Sequence, residues 1–181
     1  MTPERAGVPG EGRQPRPAPV TTGDLARLVD GWHYDPHAIL GPHPHAGAVT
    51  IRVLRPGADR VTVVTGDQRI EMQHEFRGVW CAVLDRADVP DYVINVAYDG
   101  HAMPGDDPYR FLPTLGEVDL HLIGEGRHEQ LWQALGARVR SYPTEAGQVT
   151  GVCFAVWAPN AQGVRVAGDF NYWDGTAHPM R

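Results

Sequence analysis

The residues best suited to chemistry lie near the C-terminal end. Gly168-Asp169-Phe170-Asn171-Tyr172-Trp173-Asp174-Gly175 is an aromatic, glycine-bounded loop that follows an alternating apolar stretch. Aromatic faces can stack on the apolar face of a pyranose ring, and Asn and Asp side chains can hydrogen-bond its hydroxyls. Direct contact of this loop with a sugar is the functional reading. The competing reading is structural: Phe170 and Trp173 pack a core, and Asn171 and Asp174 bond the turn backbone.

Other constellations are weaker. His33, His37, His43 and His45 are spaced by four, six and two, but they sit in a proline-rich segment without Cys or helical i,i+4 spacing, so packing is preferred over a metal site. Asp106 and Asp107 are adjacent, and neighbouring carboxylates in an extended chain point apart; Asp107 before Pro108 reads as a turn residue. Gly124-Glu125-Gly126 lacks the pattern and preceding strand of a phosphate loop. No nucleophile triad stands out. Neither a cofactor nor a metal is expected.

These residues need a scaffold. Asp24 to Asp30 predicts a short helix, with Leu25, Leu28 and Val29 on one stripe, Thr22 or Gly23 capping its start and Gly31 ending it. The segment Trp32 to His43 is too rich in Pro and Gly for regular structure and predicts a loop. From Val49 the period becomes two: Val49, Ile51 and Val53 alternate with Thr50 and Arg52, and Val61 and Val63 begin another strand. Further strands are predicted at Trp80–Leu84 and Tyr92–Tyr98, and Asp99-Gly100 is a hairpin turn signal. Short strands at such spacing predict a β-sandwich. Two helical pieces, Glu117–Ile123 and Arg127–Val139, are expected next, the second from the spacing of Leu131, Leu135 and Val139.

The composition agrees with this scaffold. The 181 residues are 42% hydrophobic and 21% charged, with 21 Gly and 16 Pro, as suits many short strands joined by turns. The length is too short for a complete (β/α)₈ barrel, which needs about 250 residues. Acidic residues outnumber basic ones 22 to 16, which disfavours a nucleic-acid partner. No apolar run reaches the ~20 residues of a membrane helix, and Met1 to Val20 lacks the apolar region of a secretory signal. With no export signal the chain is expected to be cytoplasmic, and the two cysteines, Cys81 and Cys153, to be buried reduced thiols.

An internal repeat links the two ends. At an offset of 103 positions, Val49, Val53, Pro56, Ala58, Val61 and Val63 fall on Val152, Val156, Pro159, Ala161, Val164 and Val166, and Ile51 falls on Phe154. This suggests a duplicated sandwich unit. The second copy begins at Val152 and the sequence stops at Arg181, so the chain is expected to end inside a domain. Val152-Cys153-Phe154-Ala155-Val156-Trp157 is apolar on both faces and calls for cover on each.

The ordered set Gly151-Val152-Cys153-Phe154-Ala155-Val156-Trp157-Ala158-Pro159-Asn160-Ala161, Phe170-Asn171-Tyr172-Trp173-Asp174-Gly175 and His178-Pro179-Met180-Arg181 resembles the start of a carbohydrate-binding module of family 48. More narrowly it is similar to that module in bacterial 1,4-α-glucan branching enzymes of glycoside hydrolase family 13. Asp35-Pro36-His37-Ala38-Ile39-Leu40-Gly41-Pro42-His43 and Asp107-Pro108-Tyr109-Arg110-Phe111 resemble motifs of the extra N-terminal sandwich of that family. The resemblance covers residues 24 to 181. It implies retaining transglycosylation, in which an α-1,4 bond is cut and the chain is passed to a 6-hydroxyl in glycogen biosynthesis. Such chemistry uses two carboxylates ~5–5.5 Å apart. The family carries them on a downstream barrel, so no catalytic residue is assigned here. In some relatives the module's tryptophan that matches Trp173 lies at or near the glucan surface, so the resemblance implies Trp173 as a glucan-binding candidate, with Tyr172 and Asn171 behind it; packing of this loop against the barrel is the alternative.

The resulting expectation is a mostly β chain: a disordered leader over 1–22, an immunoglobulin-like β-sandwich over 23–115, a partly helical connector over 116–148 and an incomplete second β-sandwich, a truncated family-48 module, over 149–181. Its implied partners are α-1,4-glucan and the downstream catalytic barrel, with neither nucleic acid nor membrane. A non-catalytic glucan-binding protein and the N-terminal part of a related debranching hydrolase are the alternatives.

Overall fold

The structure is a computed structural model that describes residues 15–145 and 147–181. It is built mostly from antiparallel strands. In chain order the elements are α1 (Thr22–Asp30), β1 (Gly41–His45), β2 (Ala48–Leu54), β3 (Arg60–Thr65), β4 (Gln68–Glu71), β5 (Gln73–Phe76), β6 (Val79–Leu84), β7 (Val93–Tyr98), β8 (His101–Gly105), α2 (Glu117–Gly124), α3 (Leu131–Ala134), β9 (Gly136–Thr144) and β10 (Gly147–Ala155).

Two four-stranded sheets, ordered β1-β2-β6-β5 and β4-β3-β7-β8, form the expected first sandwich. The period-two pattern explains the core between them. Val49, Ile51 and Val53 of β2 meet Val61 and Val63 of β3, Ala82 and Leu84 of β6, and Ile94 and Val96 of β7. Asp99 and Gly100 take positive φ of 48° and 75°, the turn that matches strand twist and closes the β7–β8 hairpin.

The polar face of β2 does not meet solvent. Arg52 is 2% exposed and Thr50 is fully buried. The Ala18 N–H donates to Thr50 Oγ1 at 2.7 Å, while Arg52 donates from Nη2 to the Ala18 carbonyl at 2.7 Å and from Nε to Glu75 Oε2 at 2.7 Å. Residues 15–20 therefore run against the outer face of this sheet. The expected disordered leader is corrected for 15–22, where β2 supplies partners for the backbone; residues 1–14 of it lie outside the described residues.

Helix α1 starts earlier than expected, because Thr21 supplies the cap: the Asp24 N–H donates to Thr21 Oγ1 at 3.1 Å. Its Leu25 and Leu28 join Ile39, Leu40, Leu54, Val79 and Tyr109 in a second apolar cluster. The end of the expected loop, Gly41 to His43, belongs to a strand, Gly41–His45. It lies at a sheet edge, and Pro42 and Pro44, two residues apart, place their missing donors along one side, where an edge strand tolerates them.

The second helical piece keeps only a short helix and ends in a strand. Only Leu131–Ala134 is helical; Gly136, with φ 100°, ends it, and β9 pairs with β10 with Val139 opposite Val152. Long-range pairing overrides the helical spacing of Leu131, Leu135 and Val139. The repeat is visible only in its first strand. Val164–Val166 forms no strand, and a single bridge joins Arg165 to Pro179. The apolar side chains differ accordingly: Val49, Ile51 and Val53 are fully buried, whereas Val152, Phe154 and Val156 stay exposed. Cys81 is buried, with its thiol pushed up to about 11 by burial, but Cys153 is only half-buried, on the β9–β10 sheet, which has two strands among the described residues.

Candidate functional site

The loop at 167–178 is closed at its base by backbone pairing. The Val166 N–H donates to the His178 carbonyl at 3.1 Å, and the Met180 N–H to the Val164 carbonyl at 2.8 Å. Inside this ring Asn171 stitches the arms together. Its Oδ1 accepts from the Gly168 N–H at 2.9 Å, and its Nδ2 donates to the Val166 carbonyl at 2.9 Å and to His178 Nδ1 at 3.1 Å. His178 must therefore present an unprotonated Nδ1. That agrees with its pKa, which burial, and secondarily Arg55, hold below the usual imidazole value against the pull of Asp174.

The turn itself is unusual. Tyr172 and Trp173 follow each other with φ of 54° and 62°, a left-handed pair without glycine. The Trp173 N–H donates to the Gly168 carbonyl at 2.9 Å, and the Trp173 indole Nε1–H donates to Asp169 Oδ1 at 2.8 Å. Asp174 Oδ1 accepts from the Thr176 N–H at 2.9 Å and from the Thr176 hydroxyl, which first of all holds its carboxyl below the usual range.

Both readings of this loop are thus half realised. Asn171 and Asp174 bond the turn, as the structural reading has it, so the Asn171 amide is occupied at both ends. The aromatic rings do not pack a core: Trp173 is 70% exposed and Tyr172 85%. The indole plane is held by its bond to Asp169 while its face meets solvent.

Contacts from the first sandwich hold β9 and the C-terminal segment that closes this loop. Phe111 stacks on Tyr142 of β9 with ring centroids 4.7 Å apart, and the Glu145 N–H donates to Asp91 Oδ2 at 2.8 Å. Tyr109 reaches the C-terminal segment, and His37 meets the Tyr109 ring edge-on at 5.1 Å. A cleft of about 470 Å³ remains between the modules, bordered by Phe111, Tyr142, Phe154, Phe170 and Met180.

The remaining candidates are placed separately. His33 Nδ1 accepts from the Asp35 N–H at 3.1 Å, and His43 Nε2 donates to the Leu40 carbonyl at 3.2 Å. Among the described residues no three His, Cys, Asp or Glu side chains converge as a metal site. Asp107 is fully buried, whereas Asp106 faces outward near Arg110 at 3.7 Å. The joining role of Tyr109 was missed by sequence reasoning; Asp107-Pro108-Tyr109 signals only a turn. Among the described residues no helix is long and apolar enough to cross a membrane.

Fold and site together define a modular antiparallel β protein: a complete sandwich joined to a strand pair that carries an exposed aromatic loop. Comparison with known proteins refines that class. Residues 21–109 match the family of the α-1,4-glucan branching enzyme GlgB N-terminal domain, and residues 134–181 match carbohydrate-binding module 48, the isoamylase N-terminal domain. The chain is thus similar to the N-terminal region of 1,4-alpha-glucan branching enzymes GlgB, over both of the matched segments. It is 55% identical over 165 residues to 1,4-alpha-glucan branching enzyme GlgB 1 of Streptomyces coelicolor, covering 91% of this chain and 21% of that protein. It is 53% identical over 168 residues to 1,4-alpha-glucan branching enzyme GlgB of Thermobifida fusca, covering 90% and 22%. The chain thus spans about a fifth of the length of these curated relatives. The solved catalytic module of the multi-modular glycogen-degrading pneumococcal virulence factor SpuA overlaps 54% of this chain and 16% of its own at TM-score 0.37 and 22% identity, too loose a likeness to carry an argument.

Proposed function

We propose that this chain is the N-terminal glucan-handling region of a cytoplasmic glycogen branching enzyme. In that reading the parent protein cuts α-1,4-glucan chains and transfers them to form α-1,6 branches, and the carboxylates that do so lie on a downstream barrel. The region divides into the sandwich at 23–115, a connector at 116–148 and the family-48 segment at 149–181. Its work is auxiliary: it holds α-1,4-glucan and packs against the rest of the parent. The net charge of −6 is compatible with a neutral polymer, for which electrostatic steering is irrelevant, and argues against nucleic acid.

The observation that carries the reading is Trp173, an exposed indole whose plane is fixed by Asp169, in a segment that matches a carbohydrate-binding family. A preorganised aromatic face stacks on a pyranose without first losing rotamer freedom. Tyr172 offers a second ring beside it, and Asn171 acts by shaping the turn. The exposed apolar side chains Val152, Phe154 and Val156 supply a surface on which downstream parts of the parent can pack.

Retention on immobilised glycogen tests this. The chain should be retarded, and Trp173→Ala should lose most of that retardation while a surface control such as Glu129→Ala keeps it. Equal retention of all three proteins would overturn the reading. For the parent, a changed iodine colour without new reducing ends indicates transfer, and a net gain of ends indicates hydrolysis.

A further inference from the structure

The exposed aromatics of the loop have counterparts on the first module, and one arginine joins the two groups. Arg165 precedes the 167–178 loop. Its Cβ lies against Gly175, where a side chain would come within 2.9 Å of it, and its guanidinium lies against Gly31, where a side chain would collide with it. A single arginine side chain therefore spans from the Trp173 loop to the residue before Trp32. Arg181 Nε, 3.6 Å from Asp35 Oδ1, closes the same seam beside Tyr34.

Trp32 is 65% exposed and Tyr34 86%. Tyr34 is backed on one face: the buried His33 ring lies parallel to it, with centroids 5.3 Å apart and planes 8° off. His33 is in turn pinned through its Nδ1 by the Asp35 N–H, and its Nε2 lies 3.7 Å from Asp24 Oδ1. One face of the Tyr34 ring is thus supported from inside, and the ring is presented to solvent.

From this arrangement we infer that Trp32 and Tyr34 form a second aromatic subsite, and that one α-1,4-glucan chain lies across both modules, passing over Arg165. The inference rests on the glucan reading of Trp173 and adds a place for further residues of the same chain. The chemistry selects the ligand. Each ring offers an apolar face to a pyranose, while the exposed Arg165, with its five N–H donors, can bond the hydroxyls between them. Aromatic and arginine side chains also suit a protein interface, so a second copy on these rings is the competing occupant that the test separates. Two platforms joined by one ligand act as linked sites, so affinity should rise with chain length once both are spanned.

The test is calorimetry on the full 181-residue chain with maltotriose and maltoheptaose. Wild type should bind maltoheptaose at least about tenfold more tightly than maltotriose. The double variant Trp32→Ala/Tyr34→Ala should lose that gain and keep its maltotriose affinity, and Trp32→Phe/Tyr34→Phe should retain most of it. Trp173→Ala should weaken both ligands. In wild type, which requires no variant, the Trp32 indole N–H resonance should shift on adding maltoheptaose and stay in place with maltotriose. An unmoved Trp32 signal, or undiminished maltoheptaose binding in the double alanine variant while Trp173→Ala is impaired, overturns the second subsite and leaves the Trp173 reading standing. Failure of wild type to bind either ligand overturns both. A concentration-dependent dimer abolished by Trp32→Ala would show that a second copy occupies these rings, and would also overturn the inference.

Discussion

Tyr109 Oη donates a hydrogen bond of 2.7 Å to the carbonyl of Pro179, a residue 70 positions further along the chain. The bond is the end of a buried relay. The Tyr109 N–H donates to Asp107 Oδ1 at 3.0 Å, and Tyr92 Oη donates to Asp107 Oδ2 at 2.7 Å. Burial pushes the Asp107 carboxyl up, while Tyr92 and the Tyr109 backbone pull it back by bonding the charged form. Burial, and then Asp107, push both phenols up, so they keep their protons and remain donors. The first sandwich thereby holds the C-terminal segment that closes the Trp173 loop.

Tyr109→Phe should separate that link from the packing of the ring. The variant keeps the aromatic contact with His37 and leaves the Pro179 carbonyl without its phenol. A loss of about 1–2 kcal/mol in urea unfolding is expected. Amide exchange should quicken at 164–180 and stay unchanged in β2 and β6. Faster exchange throughout the first sandwich would show that Tyr109 Oη stabilises that module and not the junction.

Asn171→Ala should abolish glucan retention without removing any exposed ring. The substitution leaves the Gly168 N–H, the Val166 carbonyl and His178 Nδ1 without their shared partner. The left-handed pair at Tyr172 and Trp173 then loses its brace, so Trp173 fluorescence anisotropy should fall. Asn171→Ala combined with Trp173→Ala should bind no worse than Trp173→Ala alone, because both act through one platform. Additive losses would place Asn171 in direct contact with sugar.

The first sandwich was legible because alternation, turn residues and long-range pairing all point the same way around Val49–Val53 and Asp99-Gly100. The sequence misled where pairing beats local spacing. Val139 sits at helical distance from Leu135, yet it lies opposite Val152 because Gly136 ends the helix and β10 offers a complete set of backbone partners. Pro42 and Pro44 hide a strand that only an edge position allows. At the candidate site the residue types were readable, but not their division of labour. Nothing in Phe-Asn-Tyr-Trp tells that the amide turns inward and the indole outward, since that depends on the approach of Val166 and His178 from either side.

Glu75→Ala should be among the more damaging single changes in the first module. Arg52 is nearly fully buried, and Glu75 meets it through two bonds, from Nε at 2.7 Å and from Nη2 at 3.1 Å. Removing the carboxylate leaves a buried guanidinium with the Ala18 carbonyl as a neutral partner, and breaking such a pair costs about 3 kcal/mol. The double variant Arg52→Met/Glu75→Leu removes the stranded charge and should recover much of that loss in chemical denaturation. Exchange at Ala18 should quicken in the double variant, which lacks the guanidinium, if Arg52 positions the segment over β2.

Acidification should loosen the Trp173 loop, and the direction follows from His178. Its folded-state pKa lies below the ordinary 6.5, because burial and Arg55 disfavour the imidazolium more than Asp174 favours it. The unfolded chain therefore binds the proton more readily than the folded one. The stability that neutral His178 contributes is full above 6.5 and is lost as the pH falls through the lower folded value. His37 acts in the same direction, since burial, with Arg181 and His43, depresses it against Asp35. Protonated Nδ1 cannot accept from Asn171, so the ring that braces the arms becomes a second donor facing a donor. The melting temperature should hold above pH 6.5 and fall below it, with Trp173 emission shifting over the same range. His178→Asn keeps an acceptor near the position of Nδ1 and does not titrate, so its profile should be shallower, with His37 accounting for the remaining slope. An identical profile in His178→Asn and wild type would assign the acid sensitivity to other groups and leave His178 a packing residue.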